Sequence, residues 1–114
     1  MLIGEGQYGS VHLFNNTQAV KKISLQNKEV FQKEAFMALK TINFQHSILV
    51  KQCFTENNFG YIVMELAKSN LLDVVKINCF KEKEISKIFY NLCLGVLELH
   101  SNNIAHLDLK LENL

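Results

Sequence analysis

The apolar residues of this chain recur with two different periods, and the period changes part-way along. Short apolar-rich runs dominate the first half. Val11–Phe14 and Gln18–Ile23 read as two strands joined by a tight turn at Asn15-Asn16-Thr17. Ile48–Phe54 and Gly60–Leu66 read as two more, with the turn in Glu56-Asn57-Asn58. Between these pairs, Phe31, Ala35, Ala38, Leu39 and Ile42 fall at helical spacing and predict a helix from Lys28 to Ile42. In the second half the helical period takes over. Ser69-Asn70, with Asp73 in the first turn, caps a short helix that runs to about Lys76. Ile85, Ile88, Phe89, Leu92, Val96 and Leu99 form an unbroken stripe on a longer helix from Lys83 to Ser101, which Asn102-Asn103 ends. That stripe is broad enough to expect a helical core against it.

Length and composition narrow the class. The chain has 114 residues, 48% hydrophobic and 20% charged, which is a globular balance. A formal net charge of +1 gives no electrostatic case for nucleic acid or an anionic membrane as partner. No apolar run is long enough to span a bilayer and no signal-peptide pattern follows Met1, so an intracellular, cytoplasmic protein is expected. Cys53, Cys79 and Cys93 are odd in number and form no C-x-x-C pair, which suits free thiols in a reducing compartment.

Two stretches carry candidate chemistry. The first is Gly4-Glu5-Gly6-Gln7-Tyr8-Gly9-Ser10-Val11. Glycines spaced G-x-G-x-x-G let backbone N–H groups approach a phosphate closely. A dinucleotide-binding turn of this spacing opens a helix. Here the residues after Gly9 form a hairpin instead, so the loop joins two antiparallel strands. The second stretch is His106-Leu107-Asp108-Leu109-Lys110-Leu111-Glu112-Asn113-Leu114. Its leucines alternate with polar side chains, as in a loop pinned to a core with its polar groups facing a cleft. Asp108 can accept a proton, Lys110 can hold a phosphate, and Asn113 can ligate a hard cation through its amide oxygen.

These motifs, in this order, resemble the N-terminal part of a eukaryotic protein kinase catalytic domain of the serine/threonine type. The His106–Asn113 string is similar to the family's H-R-D-L-x-x-x-N loop, and Ala19-Val20-Lys21 to its V-A-I-K strand. The resemblance implies an α+β fold, with a five-stranded antiparallel small lobe and one helix over residues 1–64, a hinge at 65–68, and the first helices of a truncated large lobe over 69–114. It implies an enzyme that transfers phosphate from ATP to a protein serine or threonine, with Mg2+ as cofactor. ATP would be held by Ile3, Gly4, Gly6, Gly9, Val11, Ala19, Lys21, Met64, Glu65 and Ala67, with the backbone of Glu65-Leu66-Ala67 meeting the adenine edge. Lys21, Glu34, Asp108 and Lys110 would serve catalysis and Asn113 the metal. The family needs a helix glutamate opposite the strand lysine. At about 100° per residue Glu29 lies nearly opposite the apolar stripe, whereas Glu34 flanks it and can reach Lys21.

Two departures accompany the resemblance. Leu107 stands where the family usually has arginine, and it is expected to be buried or half-buried. Leu114 precedes the family's D-F-G strand, activation loop and A-P-E segment, so these 114 residues by themselves are expected to transfer phosphate poorly. The alternatives to a kinase are a non-catalytic kinase-like module that binds nucleotide or a partner, and an inactive fragment.

Overall fold

The computed structural model describes residues 1–114 as two compact units, Met1–Leu66 and Ala67–Leu114. The first unit holds five strands: β1 (Leu2–Gly6), β2 (Gly9–Asn15), β3 (Gln18–Ser24), β4 (Val50–Glu56) and β5 (Phe59–Glu65). They form one sheet in the order β1-β2-β3-β5-β4, with every neighbouring pair antiparallel. The turns follow their side chains. Asn15 Oδ1 accepts from both the backbone N–H and the hydroxyl of Thr17, which closes the β2–β3 connection. Asn57 and Asn58 both have positive φ, 48° and 63°, the left-handed pair that a two-residue hairpin needs between β4 and β5.

One helix, α1 (Lys28–Lys40), belongs to this unit. It follows a single turn of 3-10 helix at Leu25–Asn27, capped by the Ser24 hydroxyl. Phe31 and Ala38 are its buried residues. Phe31 packs with Ile23 and Ile62, and Leu25, Val30, Ala35, Val50, Cys53 and Met64 close around them. Each fully buried side chain of this kind contributes roughly 1.5–3 kcal/mol. Two members of the expected stripe are not in this core: Leu39 is 64% exposed and Ile42 is 41% exposed. Leu39 lies about 80° around the helix from Phe31, on the flank of the buried face. Ile42 follows the C-cap Thr41, where the helical rotation has stopped. β4 likewise starts at Val50, two residues later than the pattern suggested.

The second unit contains α2 (Leu71–Ile77) and α3 (Glu82–Ser101), then a 3-10 turn at Leu111–Asn113. Asn70 caps α2 by accepting from the Asp73 N–H at 2.9 Å. At the start of α3, the Glu84 carboxylate accepts from the Lys81 N–H at 2.8 Å. Its far end is a Schellman closure. Ile104 N–H reaches the Leu99 carbonyl and Asn103 N–H the His100 carbonyl, both at 3.0 Å, with Asn103 left-handed at φ 58°. The α3 stripe is only half-covered, with Ile88, Leu92, Val96 and Leu99 partly buried and Ile85 and Phe89 exposed. No helix is long and apolar enough to cross a membrane. All three cysteines are free thiols.

Candidate functional site

In the first unit the sheet register gathers the candidate residues. Gly4 pairs with Val11, Val11 with Lys21, and Lys21 with Ile62, one row across four strands. Ala19 pairs with Met64 in the row two residues away, and Gly6, Gly9 and Ile23 share the row on the other side. Side chains two residues apart on a strand point the same way, so Gly4, Gly6, Gly9, Val11, Ala19, Lys21 and Met64 share one face. Lys22 points to the other, where its ammonium lies 3.9 Å from the Phe59 ring centroid.

Lys21 does not stand alone on its face. Its Nζ donates to Glu34 Oε1 at 2.7 Å and lies 2.6 Å from Oε2. Glu29, by contrast, is exposed. The pairing expected from the helix face is therefore present, and it joins β3 to α1.

The three glycines of the first loop differ in what the fold asks of them. None has positive φ. A Cβ at Gly9 would run into the Lys22 carbonyl and lie 3.1 Å from Ile23 Cγ1, so Gly9 is required by the close approach of β3. At Gly4 and Gly6 the nearest atom to an added Cβ is 3.8 Å away, an ordinary contact. The fold leaves those two positions open. A bare backbone beside a lysine is what a phosphate needs for close approach.

At the end of β5 the backbone donors are divided. Glu65 N–H donates to the Leu49 carbonyl at 2.9 Å, and the Glu65 carboxylate accepts from Leu49 N–H at 2.8 Å. Leu66 N–H donates to the Thr17 carbonyl. Of the three N–H groups expected to meet an adenine edge, Ala67's is the one left without a partner in the chain. Leu49, which clamps Glu65, was not among the expected residues, and its apolar side chain gives no sequence signal for a backbone role. Ile3, the remaining candidate of this group, is 44% exposed on β1.

In the second unit Asp108 is the centre of a small polar network. Its N–H donates to His106 Nδ1 at 3.2 Å. Asn113 Nδ2 donates to both the backbone carbonyl and Oδ2 of Asp108, each at 2.9 Å, and Lys110 Nζ is 3.4 Å from the same Oδ2. Oδ1 of Asp108 has no partner in the chain and remains able to accept a proton. The expectation for the leucines is corrected here. Leu107 is 92% exposed, at φ 67°, and Leu109 and Leu111 are also exposed. The left-handed residue and the 3-10 turn break the strict alternation that would have put the leucines on one face.

Asn113 was expected to hold the metal. With its amide nitrogen committed to Asp108, its Oδ1 faces away unpaired. No group of three or more His, Cys, Asp or Glu side chains comes together to hold a cation. One amide oxygen is too little for a magnesium site, which draws on carboxylates as well.

Comparison with known proteins bears on the whole length. Residues 1–114 match the protein kinase domain family. The chain is 34% identical to serine/threonine-protein kinase 33 of Mus musculus over 99% of its own length, and 35% identical to the stress-activated protein kinase jnk-1 of Caenorhabditis elegans over 99%. It is 29% identical to the serine/threonine-protein kinase ICK of Rattus norvegicus over 98%. The chain spans 25%, 27% and 19% of those three relatives.

Proposed function

The chain belongs to the protein kinase family, and from that premise we propose that it is the nucleotide-holding and catalytic-loop portion of a serine/threonine protein kinase. The five-stranded sheet with α1 is the small lobe, and α2, α3 and the Asp108 loop are the start of the large lobe. The observation that carries the reading is the doubly bonded Lys21–Glu34 pair, on the same sheet face as two glycines the fold itself does not require.

In this reading the open backbone at Gly4 and Gly6 donates N–H groups to the phosphates of ATP. Lys21, oriented by Glu34, supplies the positive charge beside them. Ala19 is small and buried on the same face as Lys21, so no large side chain of β3 competes with an adenine ring there. Met64 stands beside Ala19 as its register partner on β5. In the second unit, taken by itself, Asp108 Oδ1 is the group to accept the proton of a serine or threonine hydroxyl as the hydroxyl oxygen attacks phosphorus and ADP departs. Lys110, 3.4 Å from Oδ2, offsets charge on the transferred group. Asn113 holds the Asp108 carboxylate in orientation. Asn113 Oδ1 is left to give one oxygen to a magnesium site that these residues alone do not complete. The partners implied are ATP and a protein substrate.

Titration of the purified 114-residue chain with a fluorescent ATP analogue tests the reading. Saturable binding, competed by ATP and weakened at least about tenfold by Lys21→Met, is expected, since a charge-assisted contact to phosphate is worth roughly 1.5–3 kcal/mol. Binding that Lys21→Met leaves unchanged contradicts it.

A further inference from the structure

The packing of α1 on the sheet involves a glycine that nucleotide binding does not use. Gly60 sits in β5, paired with Ile23 of β3 on one side and Thr55 of β4 on the other. A Cβ built on Gly60 would overlap the Phe31 ring at Cδ2 and Cγ and lie 2.6 Å from Cε2. The ring therefore lies directly on the bare β5 backbone. Glycine inside a strand often marks a close approach of this kind.

We propose that Phe31 and Gly60 are a positioning pair: the missing side chain at residue 60 seats the Phe31 ring on the sheet, and that seat sets the distance at which Glu34 meets Lys21. Three observations support this. First, the sheet cannot yield at Gly60, because β5 is held by strands on both sides. Second, the ring cannot swing aside. Phe31 is 8% exposed, and it is packed against Ile23, which is fully buried, and Ile62. Third, Phe31 and Glu34 are neighbours on one helix surface, three residues apart. Lys21 is itself the register partner of Ile62, which shares the buried cluster with the ring. Carbon atoms normally rest about 3.5–4.0 Å apart, so a methyl at residue 60 would drive the ring, and α1 with it, outward by about 1 Å. A shift of that size lengthens N–O distances of 2.6 and 2.7 Å to beyond about 3.5 Å, past hydrogen-bond range. The consequence for nucleotide binding rests on the reading of Lys21 given above, whereas the consequence for the ion pair does not.

The test uses Gly60→Ala, Phe31→Leu and the double variant in the 114-residue chain. The primary readout is the acylation rate of the Lys21 amine relative to exposed Lys33, measured by peptide mass spectrometry on folded protein. The second is affinity for a fluorescent ATP analogue. Each single substitution should raise the relative Lys21 rate by about two- to fivefold, the range for losing a partly exposed ion pair, and weaken analogue binding. The double variant should return both to within about twofold of wild type, because the shorter side chain accommodates the methyl. A folded Gly60→Ala chain with unchanged Lys21 reactivity overturns the inference, as does a double variant no better than the singles. If Gly60→Ala does not fold, Phe31→Leu decides alone, and an unchanged Lys21 rate in it overturns the inference. If Lys21 reactivity responds as stated while wild type binds no nucleotide, the positioning pair stands and the nucleotide reading fails.

Discussion

Lys21 and Glu34 are 13 positions apart in sequence, yet the Lys21 ammonium lies 2.6 Å from one oxygen of Glu34 and 2.7 Å from the other. Their side chains are 29% and 31% exposed, so water still screens the pair. Its worth to folding is small, up to about 1 kcal/mol. Glu34→Gln should therefore leave the thermal melting temperature nearly unchanged while weakening ATP-analogue binding several-fold, because the lysine loses its fixed position. A fall in melting temperature with affinity intact would assign the pair to stability instead.

The glycines should separate by role. Gly9→Ala collides with the Lys22 carbonyl and should cost about 1–3 kcal/mol in denaturant unfolding. Gly4→Ala and Gly6→Ala meet nothing closer than 3.8 Å and should change stability by no more than about 0.5 kcal/mol. Both should nonetheless weaken nucleotide binding, since the added methyl stands where the phosphate approaches. Equal stability losses at all three positions would show that the loop glycines serve the fold alone.

Leu107 is 92% exposed and left-handed at φ 67°. A left-handed leucine costs roughly 1–2 kcal/mol, and burial offsets none of it here. Leu107→Asn should be neutral or stabilising by up to about 1 kcal/mol, because asparagine tolerates this backbone better. Leu107→Arg should cost nothing measurable. A loss of more than about 2 kcal/mol on either change, by chemical denaturation, would mean that the side chain is buried after all.

Burial raises the Cys53 thiol above its ordinary value of 9.0, because the thiolate is poorly solvated against the α1 core. The folded state then holds the proton more tightly than the unfolded chain. The stabilisation is fully present below the unfolded value and is lost as pH rises through the folded one. Cys53 should react with a thiol reagent at about pH 8 more slowly than exposed Cys79 and Cys93. Unfolding curves should show stability falling only above about pH 9. Equal labelling of the three thiols would contradict this.

Much of this arrangement is legible in the sequence, for physical reasons that differ by element. Glu34 could be chosen over Glu29 because helical rotation is fixed, and the carboxylate sits where that rotation puts it. The Asn57-Asn58 hairpin and the Asn70 cap were legible because those side chains bond or tolerate particular backbone angles. Leu107 was not. Alternation assumes extended backbone, and one left-handed residue cancels it. Leu39 and Ile42 count as apolar in any periodicity, but whether a flank is covered depends on what packs there. Gly60 carried a signal that went unused: a glycine inside an apolar strand, with an aromatic residue one helix away that fills its space.

The most direct test of the account is an amide NMR titration of the isotopically labelled chain with ATP. Shifts are expected on one face of the sheet, at Gly4, Gly6, Gly9, Val11 and Lys21. Little change is expected at residues whose side chains point the other way, such as His12 and Tyr61. An unperturbed spectrum at saturating ATP would contradict the claim that this chain holds a nucleotide, and so would shifts centred on the Lys22–Phe59 face.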